Sequence, residues 1–153
     1  MRRRTFASAA LLGLVGTGGC LSRGDDGGVT TDVRVPEQVT AVEFDITDKG
    51  AGDRGPPIVE FRPDQSQVVV TGTMSAGNPC HEARPTDLSY DDPSETLSVA
   101  VGVEQVRSGD CPDSLGTNTY ELRLSLEPLP DVVTARQTDS DDDTTETTEQ
   151  RPT

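Results

Sequence analysis

The segments Leu97-Ser-Val-Ala-Val-Gly-Val103 and Tyr120-Glu-Leu-Arg-Leu-Ser-Leu126 alternate large apolar residues with small or polar ones. Because successive side chains of a β-strand point to opposite faces, this period predicts two strands that each bury one face. Weaker alternation or a β-branched run marks further strand candidates. These are 42–46, 58–61, 68–71 and 132–135, with 33–35 as a candidate opening strand. The unbroken run 68–71 is typical of a central strand.

Turn-forming clusters separate these segments, and no part of the body shows a helical period. The clusters are 48–52, 77–79, 91–93 and 109–112. Six or seven short strands over about a hundred residues predict an all-β domain. We expect an antiparallel β-sandwich, immunoglobulin-like in general shape, with a small β-barrel as the alternative.

The amino-terminal residues predict export. Three arginines precede a mostly apolar stretch, Phe6 to Val15, and small residues follow, so residues 1–19 are predicted to be a signal peptide. The apolar run has about half the length that a bilayer span needs. Arg3, Arg4 and Phe6 resemble the Arg-Arg-x-Phe core of a twin-arginine signal. An arginine-rich signal for the general secretory route is the alternative.

The segment Gly16-Thr-Gly-Gly-Cys20 resembles a lipobox, in which small residues precede a cysteine that becomes a lipidated amino terminus. Thr17 departs from the pattern, which usually has Leu, Val or Ile at that place. The resemblance implies that lipid on Cys20 holds the protein at the extracellular face of the cell membrane. The partner expected there is the membrane itself, reached through acyl chains.

The cysteine count supports this assignment. The chain has three cysteines, and giving Cys20 to lipid leaves Cys80 and Cys111. In an oxidising compartment these two are expected to form a disulfide. The closed loop of about thirty residues would stabilise the fold by roughly 3 to 4 kcal/mol in the chain-entropy model. A metal or redox site is the alternative, although no Cys-x-x-Cys is present.

The negative net charge argues against nucleic acid as a partner and indicates an environment of concentrated salt. The formal net charge is −14, and loss of the signal peptide with its three arginines would make it −17. Such a surface repels phosphate backbones, so nucleic-acid binding is not expected. Lys49 is the only lysine among thirteen basic residues. Acidic excess with almost no lysine is typical of proteins that work in concentrated salt, where screening permits dense surface carboxylates. An ordinary acidic protein with an acidic tail is the alternative.

Composition divides the chain into four parts. Residues 1–19 are the predicted signal peptide, and 20–32 are the lipidated cysteine with a flexible, glycine-rich tether. Residues 33–136 are the predicted β-sandwich. Residues 137–153 are rich in Asp, Glu and Thr and have no large apolar residue, so we expect a disordered acidic tail.

Few residues suggest chemistry. His81 is the only histidine, and if the two cysteines meet, then His81, Glu82 and Asp110 come near one another as weak metal-ligand candidates. The acidic segment Asp45 to Asp53 is a second candidate, here for Ca²⁺, although it lacks the order of a helix-loop-helix calcium loop. We assign no metal, no cofactor and no catalytic residue, and expect no enzyme.

Taken together, the chain resembles small twin-arginine-exported lipoproteins of halophilic archaea. The residues that carry the likeness are Arg3-Arg4-Thr5-Phe6, Cys20, Gly77-Asn-Pro-Cys80-His81, Tyr120-Glu-Leu-Arg-Leu and Pro128-Leu-Pro-Asp131. The resemblance implies a surface location and a β-rich ectodomain. The predicted function is a membrane-anchored surface lipoprotein with a non-catalytic binding or structural domain and an unidentified protein partner. The alternatives are a metal-binding protein centred on His81 and a small solute-binding accessory protein.

Overall fold

Eight strands account for most of the computed structural model, which describes residues 33–50 and 52–153. They are β1 (Val39–Gly50), β2 (Ile58–Arg62), β3 (Gln67–Gly77), β4 (His81–Asp91), β5 (Thr96–Gln105), β6 (Gly116–Leu126), β7 (Val132–Thr138) and β8 (Thr144–Gln150). A single 3-10 turn, Pro63–Gln65, links β2 to β3. The predicted signal peptide with Arg3, Arg4 and Phe6, the predicted lipidation site Cys20 and the tether lie outside the described residues.

The strands form two four-stranded sheets, in the orders β1-β6-β3-β2 and β4-β5-β7-β8. The sheets pack on one shared core, so the predicted β-sandwich is confirmed. The expectation of purely antiparallel pairing is wrong at one place, because β5 and β7 run parallel. Residue periodicity decides which face a strand buries but not which neighbour it pairs with, so this parallel ladder left no signal in the sequence.

The two alternating segments behave as predicted. In β5 the side chains of Leu97, Val99 and Val101 are buried, Gly102 is buried as well and Val103 is partly buried. In β6 every second residue from Asn118 to Leu126 is buried. The interior strand predicted at 68–71 is also correct, since β3 lies between β6 and β2. All four aromatic rings of the described chain belong to this core or pack against it: Phe44, Phe61, Tyr90 and Tyr120.

Strand β4 has no counterpart in the sequence prediction. It is an edge strand, and Pro85 sits where its register against β5 shifts by one residue. A proline cannot donate to a ladder, so it is tolerated at an edge or a bulge and obscures the strand signal. The flanking turns were predicted correctly at 77–79 and 91–93.

The carboxyl-terminal segment differs from the sequence prediction more than β4 does. Residues 137–153 were expected to be a disordered tail, but 144–150 form β8, which pairs antiparallel with β7. The sandwich therefore extends to Gln150. The composition argument failed because an edge strand does not have to bury large apolar side chains; β-branched threonines beside an open edge suffice. Cross-strand pairs reinforce the hairpin: Thr134 with Thr148, Arg136 with Glu146, and Thr138 with Thr144. At the other end, the candidate strand 33–35 is not a strand.

The β7–β8 hairpin predicts a hydrogen-exchange pattern. Asp139 and Arg151 both donate their backbone N–H across the two strands, and the register between them is unbroken. Because ladder bonds of an antiparallel pair recur at every second residue, the amides of Thr145, Thr147 and Glu149 should face β7. We expect them to exchange at least about tenfold more slowly than the amides of Thr144, Glu146 and Thr148 in an NMR exchange experiment. Uniformly fast exchange from 144 to 150 would instead support the disordered tail.

A buried hydrogen-bond network links the two sheets. Tyr120 of β6 is fully buried, and its hydroxyl donates to Oε1 of Gln137 on β7 over 2.9 Å. The amide nitrogen of Gln137 donates in turn to the carbonyl oxygen of Gly55, at 2.7 Å, in the loop before β2. Burial raises the pKa of the Tyr120 hydroxyl far above its ordinary value, so it remains a donor at any physiological pH.

Gly72 of β3 provides the space that this network occupies. A Cβ atom at position 72 would collide with Oε1 of Gln137 and with the hydroxyl of Tyr120. We therefore expect Gly72→Ala to lower the free energy of unfolding by about 1 to 3 kcal/mol, measured by denaturant titration. Gly116→Ala is the matched control, because a Cβ there meets no atom within 4 Å. Equal stability of the two variants would contradict the packing described here.

Candidate functional site

The sandwich has two distinct ends, which follow from the strand connections. The turns 63–66, 92–95 and 127–131 lie at one end, and the chain enters β1 there, where Gln38 donates to Asp92. We call this the proximal end. The connecting segments 52–57, 78–80, 106–115 and 139–143 lie at the opposite end, the distal end. Strands of about eleven residues set the two ends roughly 35 Å apart.

Two distal segments are tied together around Cys80. Cys80 and Cys111 form the predicted disulfide, with their Cα atoms 5.7 Å apart, and this fastens the β3–β4 turn to the β5–β6 loop. The backbone N–H groups of Val106 and Arg107 both donate to the carbonyl oxygen of Cys80. The Arg107 guanidinium also donates to the carbonyl oxygen of Pro79 at 2.9 Å. These bonds give fixed positions to a loop that has no regular structure of its own.

The fourth distal segment is the acidic turn Asp139–Asp143 between β7 and β8. The Asp139 carboxylate accepts hydrogen bonds from the backbone N–H groups of Asp141 and Asp143, and Asp142 adopts a left-handed conformation, with φ +64°. The turn is also held to the other sheet. Ser140 donates its backbone N–H to the carbonyl oxygen of Ser75 on β3, and the two serine hydroxyls lie 3.0 Å apart.

A groove with a volume of about 440 Å³ opens between these distal segments. We call it the distal groove. Ala76, Val103 and Leu115 supply its apolar lining, and His81 and Asn78 lie on one side. Four aspartates complete it: Asp113, Asp139, Asp141 and Asp142. A volume of this size is within the range of ligand-binding clefts.

The metal hypothesis centred on His81 lacks a ligand set. His81 Nδ1 is hydrogen-bonded to Oδ1 of Asn78 at 2.8 Å. Glu82 is engaged by Lys49 and by Arg84, and Asp110 is exposed in the β5–β6 loop. Throughout residues 33–50 and 52–153 no three His, Cys, Asp or Glu side chains are placed to hold a metal ion. The chain does bring the two cysteines together, but not the three ligand candidates.

The calcium hypothesis for Asp45 to Asp53 is also unsupported. Residues 45–50 continue β1 as an extended strand, so their carboxylates do not curl around a common point. The Asp45 carboxylate instead pairs with Arg123 of β6 at 3.0 Å. The expected turn at 48–52 therefore starts later than its sequence suggests, because β1 pairs with β6 as far as Gly50.

The carboxylate of Glu82, at the distal end of β4, is stabilised by several nearby positive charges. Burial opposes ionisation of its carboxylate and would raise the pKa. The hydrogen bond from Lys49 and the charges of Lys49, Arg84 and Arg107 outweigh that effect, so the pKa of Glu82 lies below its ordinary value. The Lys49–Glu82 pair also joins β1 of one sheet to β4 of the other.

This lowered pKa gives a pH-dependent stability. A carboxylate whose pKa falls on folding stabilises the fold above its unfolded pKa, and that contribution is lost as the pH falls through the folded pKa. We expect Glu82→Gln to be less stable than the parent by about 1 kcal/mol at pH 7, with the difference shrinking as the pH falls below the ordinary pKa of glutamate. Urea unfolding at fixed salt measures this difference. Glu37→Gln, at an exposed proximal position, is the control, and a pH-independent effect of Glu82→Gln would refute the ion-pair explanation.

Comparison with known proteins adds no family. No protein-family model, curated protein or solved structure matches this chain. Across the described part of the chain, no helix is long and apolar enough to cross a membrane.

Sequence reasoning found His81 and the disulfide but missed most of the groove. Leu115 and Asp113 lie in a loop with no pattern, and Asp139, Asp141 and Asp142 were assigned to a disordered tail. The disulfide prediction did contain one usable signal, because it placed the loop around Cys111 beside the turn that ends at His81.

Proposed function

We propose that the protein is a lipid-anchored surface lipoprotein whose β-sandwich is a non-catalytic binding domain. The observation that carries this proposal is the Cys80–Cys111 disulfide. It occupies two of the three cysteines and favours an oxidising compartment outside the cytoplasm. Cys20 remains, shortly after the apolar stretch of the predicted signal peptide.

The two-ended sandwich supports a specific orientation. The chain enters β1 from the proximal end, so a lipid on Cys20 would hold that end toward the membrane. The distal groove lies at the far end of the strands, where it would face outward. Loops on a rigid β-scaffold are the usual place for a binding surface, and here the disulfide and the Ser75–Ser140 bonds keep those loops in position.

The proposal includes that the protein works in concentrated salt. The formal net charge of −14 with a single lysine supports it, because dense carboxylates need screening. The described ion pairs are consistent with the arginine preference, since Arg123 of β6 contacts Glu43 and Asp45 on the adjacent strand β1 and Glu121 on its own strand.

Anchoring predicts a clear fractionation result in the native host. The parent protein should sediment with membranes, and its intact mass should show loss of residues 1–19 with an added lipid. Cys20→Ser should move the protein from the membrane to the soluble or medium fraction, because acyl chains supply the membrane affinity. Ser22→Ala, which leaves Cys20 in place, is the matched control. Membrane retention of Cys20→Ser would rule out the lipid anchor.

A further inference from the structure

The distal groove has one apolar residue, Leu115, that the core of the sandwich does not bury. Ala76 and Val103 form part of its lining, and Leu115 stands beside them with 82% of its surface exposed. Leu115 lies in the loop that the disulfide fastens, four residues after Cys111, so its exposed position is held by a covalent link nearby. Single exposed apolar residues are common on protein surfaces, so the docking argument depends on what surrounds Leu115.

The charge around this apolar lining is complementary to a cation. Asp113, Asp139, Asp141 and Asp142 line the groove, and none of them takes part in the ion pairs of the described residues. Some carboxylates elsewhere in the sandwich are neutralised by arginine, as Glu146 is by Arg136. The groove therefore combines apolar contact with unneutralised negative charge.

The groove is also organised before any partner arrives. The Asp139 carboxylate closes its own turn through two backbone N–H groups, and Ser140 ties that turn to Ser75 on the opposite sheet. A partner that docks here would not have to order the loop, which removes one of the main costs of association.

We propose that the distal groove docks a protein segment that carries apolar side chains next to basic ones. The apolar side chain packs against Val103 and Leu115. The basic side chain, best an arginine, pairs with the carboxylates of Asp141 and Asp142. Arginine suits this place because its planar guanidinium matches carboxylates and is more weakly hydrated than an ammonium group. The inference rests on the proposed function only in that the distal end must be accessible outside the cell.

The test uses the full chain with Cys20→Ser, so that the remaining cysteines are those of the disulfide. The probe is a fluorescein-labelled octapeptide, Gly-Ser-Leu-Arg-Leu-Arg-Ser-Gly, followed by fluorescence anisotropy. The solution contains EDTA and the lowest KCl concentration at which circular dichroism shows the native fold. Two further peptides, with serine in place of leucine and with glutamate in place of arginine, report the apolar and the charged contributions separately.

Groove variants and matched controls define the expected result. Leu115→Ser should weaken binding of the probe about tenfold, and Asp141→Asn or Asp142→Asn about threefold each. Asparagine tolerates the left-handed conformation of position 142, so the turn is preserved. The controls change the same residue types at the proximal end: Val35→Ser for the exposed apolar residue and Asp64→Asn for the carboxylate. These should leave binding unchanged, and both altered peptides should bind at least about tenfold more weakly.

Three outcomes overturn the proposal. Equal weakening by Asp64→Asn would show attraction to the overall negative charge rather than docking. Equal binding of arginine amide and the whole octapeptide would make the groove a site for a small cation. Stoichiometric binding of Ca²⁺ at the same aspartates, with loss of the peptide, would make it a metal site. The membrane fractionation of Cys20→Ser does not depend on whether the peptide binds, so the two proposals are tested separately.

Discussion

The buried hydroxyl of Tyr120 is the constraint on which much of the rest depends. Leaving it unpaired in the core would cost about 1 to 3 kcal/mol, and Gln137 of the other sheet accepts its hydrogen bond. This bond sets β7 against β6, and Gly72 leaves the space for it. Since the turn Asp139–Asp143 begins two residues after Gln137, the same bond also fixes where the acidic side of the distal groove lies.

The distal end shows how a chain with few large apolar residues keeps long loops in place. The 106–115 loop has a disulfide at Cys111 and backbone bonds to Cys80, and the β7–β8 turn is bonded to Ser75. Each link crosses between segments far apart in sequence. The groove is thus a product of the two sheets together rather than of any one motif, which explains why its residues resemble no known site pattern.

The sheet edges have features that oppose pairing with other chains. Glu43 and Asp45 lie on β1, Glu146 and Glu149 lie on β8, and Pro85 interrupts β4. Charges and prolines on edge strands discourage pairing with other chains. Strand β8 illustrates the limit of composition as a guide: the same threonines and carboxylates that suggest disorder also make a stable, non-aggregating edge once β7 is beside them.

The sequence by itself determined the sandwich and its core, because alternation in 97–103 and 120–126 specifies buried faces whatever the pairing. It also predicted the disulfide, since Cys80 and Cys111 are the two cysteines that remain once Cys20 is assigned to lipid. Only the tertiary structure decided the parallel β5–β7 ladder, the ordering of β8 and the union of Leu115 with Asp141 and Asp142 in one groove. The reason is physical: periodicity reports which face of a strand is buried, whereas neighbours, strand directions and loop convergence are set by how two sheets pack against each other.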